Sequence, residues 1–173
     1  QMCIRDSQAR VIRPAILLRH LLDGLEVEYG FSVDRMAAGP DEVELHGRDG
    51  QLVAADAVVI ATGADLAGLL AGRGPDLPVE VTHGLVSQVP TNDGMSGLDR
   101  GVSFGGYLTP ALDGRHDLGA TFWRDPSMAS ETGAVAAGHA HNLGLLASVL
   151  GAPFGTDSTL FGARVSRRAS LPD

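Results

Sequence analysis

The stretch ADAVVIATGAD, Ala55 to Asp65, constrains this chain more than any other. It is a short apolar run with apolar residues at successive positions, closed by Ala61-Thr62-Gly63. A run this short suits a strand covered on both faces, and it predicts a fully buried strand over 57–61 in a parallel sheet flanked by helices. Open parallel sheets collect ligands beyond the carboxyl ends of their strands. Small residues there let a backbone approach a ligand closely. Strand followed by glycine is also common packing, so the run by itself leaves both readings open.

The surrounding sequence supplies the elements such a sheet needs. RPAILLRHLLDG, Arg13 to Gly24, predicts a helix: Pro14 falls in the first turn, Ile16, Leu17, Leu21 and Leu22 give an apolar face, and Gly24 ends it. LEVEYGFSVDRM alternates as one or two strands. DEVELHGRDGQLVAADAVVIATG continues as a hairpin turning at Arg48-Asp49-Gly50. After the Gly/Pro-rich connection AGRGPDLP the composition changes. VEVTHGLVSQVP and GVSFGGYLTPALDGRHDLGATFWRD predict an antiparallel sheet, Ser130 to Gly151 a long helix covering it, and STLFGARVSRRAS a further strand. The fold class is therefore α/β, mixed with α+β.

The 173 residues suffice for one domain or for parts of two. QMCIRDS, residues 1–7, shares no pattern with the rest of the chain and reads as an extraneous leader. No apolar run approaches the roughly 20 residues that span a bilayer. A cytoplasmic location is the default expectation. The formal net charge of −8 argues against diffuse binding to nucleic acid, which needs basic side chains to neutralise phosphates. Any such contact has to come from local clusters, of which Arg164, Arg167 and Arg168 form the densest. The single Cys3 excludes an intrachain disulfide. His139 and His141, two apart on a helix, face different ways, so no metal site is expected.

The pieces RPAILLRHLL, ADAVVIATGAD, LPVEVTHGLVSQVP, GGYLTPALDGRHDLGATFWRD, HAHNLGLL and GARVSRRASLPD, in this order, resemble the FAD-dependent oxidoreductases of the D-amino acid oxidase and glycine oxidase type. Within that family the likeness is strongest to the flavin domains of bifunctional tRNA-modifying enzymes. GYLTP followed by LGATFWR is its most specific part. The resemblance implies a fragment of a Rossmann-like FAD-binding domain joined to an antiparallel-sheet substrate domain. It divides the chain into a partial FAD-binding domain over 8–76, a substrate-binding sheet with its helix over 77–162, and a return to the FAD domain over 163–173. The Gly-x-Gly-x-x-Gly cradle that the family uses for the FAD pyrophosphate does not occur in this sequence.

The resemblance also assigns residues. Val33, Ala61, Thr62 and Gly63 are expected to bind FAD. Tyr107 would align an amine substrate, and Arg168, with Arg164 second, would hold its carboxylate through a bidentate guanidinium fork. Tyr107 and Arg168 are thus the catalytic candidates. Arg167, next to Arg168, should point away on a strand. His83 stands where the family often has Arg and is expected to be a satisfied surface histidine. The implied partners are tRNA as substrate and a fused S-adenosylmethionine-dependent methyltransferase domain in the full-length protein. Two other readings share these residues: an oxidase of free glycine, sarcosine or D-amino acids, and a non-catalytic α/β module.

Overall fold

The computed structural model describes residues 11–71, 77–119, 121–124, 132–151, 154–155, 157 and 160–172. The leader over 1–7 and Asp173 lie outside them. The chain divides into two compact units, one over Arg13–Glu80 together with residues 169–172, the other over Val81–Arg168 together with residues 11–12. Each has helices and antiparallel strands.

In the first unit α1, Pro14–Leu21, begins with Pro14 in its first turn, where a missing N–H costs nothing. Gly24, at φ +79°, follows the helix end. Strands β1 (Val33–Ala38), β2 (Val43–Gly47) and β3 (Leu52–Ala55) pair antiparallel in that order. The β2–β3 turn forms at Arg48-Asp49-Gly50 as the sequence indicates. Asp49 Oδ1 accepts the Gln51 N–H at 3.1 Å, the side-chain bond that makes Asp a turn residue. A single 3-10 turn, Gly63–Asp65, leads into α2, Leu66–Leu70, which packs on β1.

The strand expected over 57–61 does not form. Residues 57–62 carry no regular structure, and Val59 is 93% exposed. A strand that is apolar on both faces needs a neighbouring strand and covering helices. The sheet of this unit ends at β3, and among the described residues no strand pairs with the chain beyond it. The apolar face of α1 is likewise uncovered: Ile16, Leu17, Leu18 and Leu21 are all exposed.

The second unit is built on β4 (Glu80–Pro90), β5 (Val102–Ser103), β6 (Tyr107–Leu108), β7 (Arg115–Gly119) and β8 (Gly162–Ser170), in the spatial order β5-β6-β7-β4-β8. The register pairs Tyr107 with Gly119, Leu108 with Leu118, Ser87 with Leu118 and Gln88 with Asp117. Opposite residues share a face and neighbours alternate. Leu108, Leu118, Ser87, Leu85 and Val89 therefore face one way, and Tyr107, Gly119, Asp117 and Gln88 the other.

Helix α3, Thr132–Leu150, covers the first face. Its Ala134, Gly138, Asn142 and Leu146 recur every fourth residue and are all buried. Leu146 joins Val89, Phe104, Leu108, Leu118 and Phe154 in the core. Asn142 stitches helix to sheet: its amide nitrogen lies 3.0 Å from Ser87 Oγ, 3.2 Å from the Leu118 carbonyl and 3.3 Å from the Leu85 carbonyl. His139 Nδ1 lies 2.8 Å from the same Ser87 Oγ. Burial lowers the His139 pKa below the ordinary imidazole value, favouring the uncharged ring.

His83 departs from expectation. It is 8% exposed, its backbone paired with Trp123 through hydrogen bonds of 2.7 and 2.8 Å, and its Nδ1 is buried with no hydrogen-bond partner among the described residues. Its position on β4 puts it on the α3 face with Leu85 and Ser87, which is why it is not a surface residue.

Candidate functional site

The face of the five-stranded sheet opposite α3 carries Tyr107, Asp117 and Gln88 from the central strands. Strand β8 adds its own residues to that face. A Cβ on Gly84 would lie 2.6 Å from Arg168 Nη1, and one on Gly162 would lie 2.9 Å from Gln88 Oε1. Gly84 and Gln88 are an even number of residues apart, so Gly162, Arg164, Ser166 and Arg168 all belong to the side on which Tyr107 stands. The alternation that separates Arg168 from Arg167 is visible in burial: Arg168 is half-buried and Arg167 exposed.

Arg168 is held by several groups. Its guanidinium carbon lies 4.5 Å from the centroid of the Phe122 ring, and Nη1 donates to the Thr121 carbonyl at 3.2 Å. The absent side chain of Gly84 leaves the space the guanidinium fills; any Cβ would collide with it. Thr121 is itself anchored, its hydroxyl accepting the Leu85 N–H at 2.6 Å. Phe122 remains 64% exposed, so a ring that sequence alone would send to a core stands beside an arginine instead.

Tyr107 stands over Gly119, where a Cβ would come within 2.9 Å of its hydroxyl oxygen. Burial pushes the Tyr107 hydroxyl pKa up. Against that, the Arg164 charge pulls it down, Asp117 pushes it up, and Arg168 pulls it down. One hydroxyl thus feels two cations and one anion of the same sheet face. Arg164 is exposed and makes no hydrogen bond or ion pair among the described residues. This arrangement can take a carboxylate at the guanidinium end and a neutral or cationic polar group beside Tyr107.

The remaining sequence candidates lie in the other unit. Val33 opens β1 and is half-buried, while Ala61, Thr62 and Gly63 are exposed on the chain entering α2. Gly63 sits at φ +57°, and no heavy atom lies within 4 Å of the position a Cβ would take. The donors offered there are backbone amides and the Thr62 hydroxyl, all neutral. They fit the edge of a flavin ring, which asks for close backbone approach and uncharged hydrogen-bonding groups. They do not fit a pyrophosphate, which asks for the glycine cradle that this sequence lacks.

Sequence reasoning missed Gly84, Phe122 and Asp117. The strand parity of Asp117 relative to Gly119 was a usable signal. The other two depend on which strand lies beside which.

The family model described as FAD dependent oxidoreductase matches residues 2–165. Among curated relatives, a protein of Idiomarina loihiensis named tRNA 5-methylaminomethyl-2-thiouridine biosynthesis bifunctional protein MnmC is 33% identical over 166 residues, 94% of this chain and 27% of that protein. Proteins of the same name from Aeromonas hydrophila (36% over 101 residues, 58% of this chain and 15% of that protein) and Chromobacterium violaceum (30% over 149 residues, 80% and 21%) are also similar. The chain thus spans about a quarter or less of the length of these relatives.

Proposed function

The chain belongs to the FAD dependent oxidoreductase family, and from that premise we propose that it is part of an enzyme oxidising a secondary amine that carries a carboxylate. The observation supporting this most is the convergence of Arg168, Arg164 and Tyr107 on one sheet face, with Arg168 braced by Phe122 and Thr121. In this reading Arg13–Glu80 belongs to the FAD-binding domain and the sheet unit is the substrate domain, with the chain returning to the FAD domain after Arg168.

Val33, Ala61, Thr62 and Gly63 would hold part of FAD, which when bound supplies the two-electron oxidation of the C–N bond beside the amine. The chain's own residues do the positioning. Arg168, assisted by Arg164, grips the carboxylate. Tyr107 aligns the nitrogen through its hydroxyl, which burial keeps protonated and able to donate. Gly84 and Gly119 leave the room in which the Arg168 guanidinium and the Tyr107 ring lie close against the sheet. Water then hydrolyses the resulting imine.

The relatives named for tRNA 5-methylaminomethyl-2-thiouridine biosynthesis support a specific substrate. It is the carboxymethylaminomethyl group of a wobble uridine in tRNA, which would lose its carboxymethyl arm as glyoxylate and keep an aminomethyl group. The full-length protein would carry a methyltransferase domain using S-adenosylmethionine and would act in the cytoplasm. No helix among the described residues is long and apolar enough to cross a membrane.

The test is hydrogen peroxide and glyoxylate release by the full-length flavoprotein, offered carboxymethylaminomethyl-bearing tRNA, unmodified tRNA, glycine and N-methylglycine in parallel. The modified tRNA is expected to be turned over at least about a hundredfold more efficiently than either free amino acid, as remote binding energy from the RNA would dictate. Efficient turnover of free glycine or N-methylglycine with none of the tRNA would replace this reading with a free amino acid oxidase.

A further inference from the structure

The substrate face carries an anion that gripping a carboxylate does not need, two residues from Arg115, whose guanidinium is taken up by the Gln88 and Leu160 carbonyls. Asp117 lies on β7, two residues before Gly119, on the face where Tyr107 stands, and its charge is felt at the Tyr107 hydroxyl. Its backbone is tied to Thr109: the Asp117 N–H donates to Thr109 Oγ1 at 3.0 Å, and its carbonyl accepts the Thr109 N–H at 3.0 Å. The carboxylate itself accepts only a long bond, 3.4 Å, from Gln88 Nε2, and no described cation pairs with it. A fixed main chain thus presents an under-used anion within reach of the site.

A carboxylate on a face that binds carboxylates is a liability unless the substrate brings a positive charge to meet it. We propose that Asp117 is the amine-side pole of the substrate site, docking the substrate's ammonium while Arg168 and Arg164 take its carboxylate. The pair of opposite charges, with the Tyr107 hydroxyl lying in the field of both, selects α-amino acids and N-alkyl glycines, and it rejects hydroxy or ether acids of the same shape. Gln88, paired with Asp117 across β4 and β7, steadies the carboxylate. Asp117 acts on affinity: it docks the ammonium, whose proton then passes to solvent water, and the freed nitrogen accepts from the Tyr107 hydroxyl before the C–N bond is oxidised. This rests on the reading of Arg168 as the carboxylate grip.

Two probes of one shape separate the poles. N-methylglycine and methoxyacetate share a carboxylate and chain length, but one presents a cationic N–H group where the other has an ether oxygen. In calorimetric titrations of the full-length flavoprotein, the wild type is expected to bind N-methylglycine about tenfold more tightly. Asp117→Asn, which keeps the shape and removes the charge, is expected to weaken N-methylglycine about tenfold and to leave methoxyacetate unchanged or tighter. Gln88→Glu, adding a second anion beside the first, is expected to widen the preference. A wild-type ratio that survives Asp117→Asn, or two affinities that fall together, overturns the proposal. Failure of the underlying reading looks different: Arg168→Met then weakens neither probe, and the present proposal falls with it.

Discussion

Val89 and Val59 both fall where the sequence predicts strands, Val89 in an alternating stretch and Val59 in a continuous apolar one, yet one is 1% exposed and the other 93%. Val89 lies in β4, with β7 and β8 on either side and α3 across its face. Val59 follows β3, the last strand of its sheet, and none of the described residues of Arg13–Glu80 is buried. The difference shows that an apolar run specifies a buried strand only together with the partners that bury it, since β propensity is chiefly a measure of fit to neighbours. The sheet unit keeps its partners in its own sequence. The other unit carries Val33, Ala61, Thr62 and Gly63, the residues proposed to face the cofactor.

The largest expected effect breaks or confirms that contrast. Leu118→Ala should cost about 2–5 kcal/mol in denaturant unfolding, because it empties a fully buried site between sheet and helix. Val59→Ser should change stability by less than about 0.5 kcal/mol. The near-ultraviolet signal of Trp123, the chain's one tryptophan, reports on the sheet unit directly. Comparable losses for the two variants would mean that Val59 is covered in solution.

A smaller effect sharpens the contrast from the polar side. His139 enters the sheet unit uncharged, its pKa held below the ordinary value of 6.5 by burial. Its contribution is complete above that value. As pH falls through 6.5 towards the lower folded value, the unfolded chain takes up the proton first, and stability declines. The melting temperature of the sheet unit should fall by about 2–4 °C over this window, and His139→Gln should flatten the slope. A wild-type melting temperature that stays level on acidification argues against an uncharged His139.

Local signals were legible in the sequence. Pro14 and Gly24 marked α1, Asp49-Gly50 placed the β2–β3 hairpin, and the period-two alternation in RVSRR separated Arg168 from Arg167. The fourfold spacing of Ala134, Gly138, Asn142 and Leu146 was there to be read as the buried stripe of α3. What escaped depends on register between distant strands. Residues 57–62 form no strand because no described strand pairs with them. His83 is buried because β4 sets it on the α3 face, and its backbone bridges to Trp123, far along the chain. Gly84 and Phe122 matter only because β8 lies beside β4, and nothing local to either residue says so.

The central claim is that the guanidinium of Arg168 takes a substrate carboxylate. Its most direct test is the affinity of the full-length flavoprotein for N-methylglycine against N-methylglycinamide, in wild type and Arg168→Met, with bound flavin quantified in each. The account predicts about a hundredfold preference for the acid in the wild type, collapsing to near parity in Arg168→Met while flavin content holds. Equal binding of acid and amide by the wild type, or a preference that persists without Arg168, would contradict it.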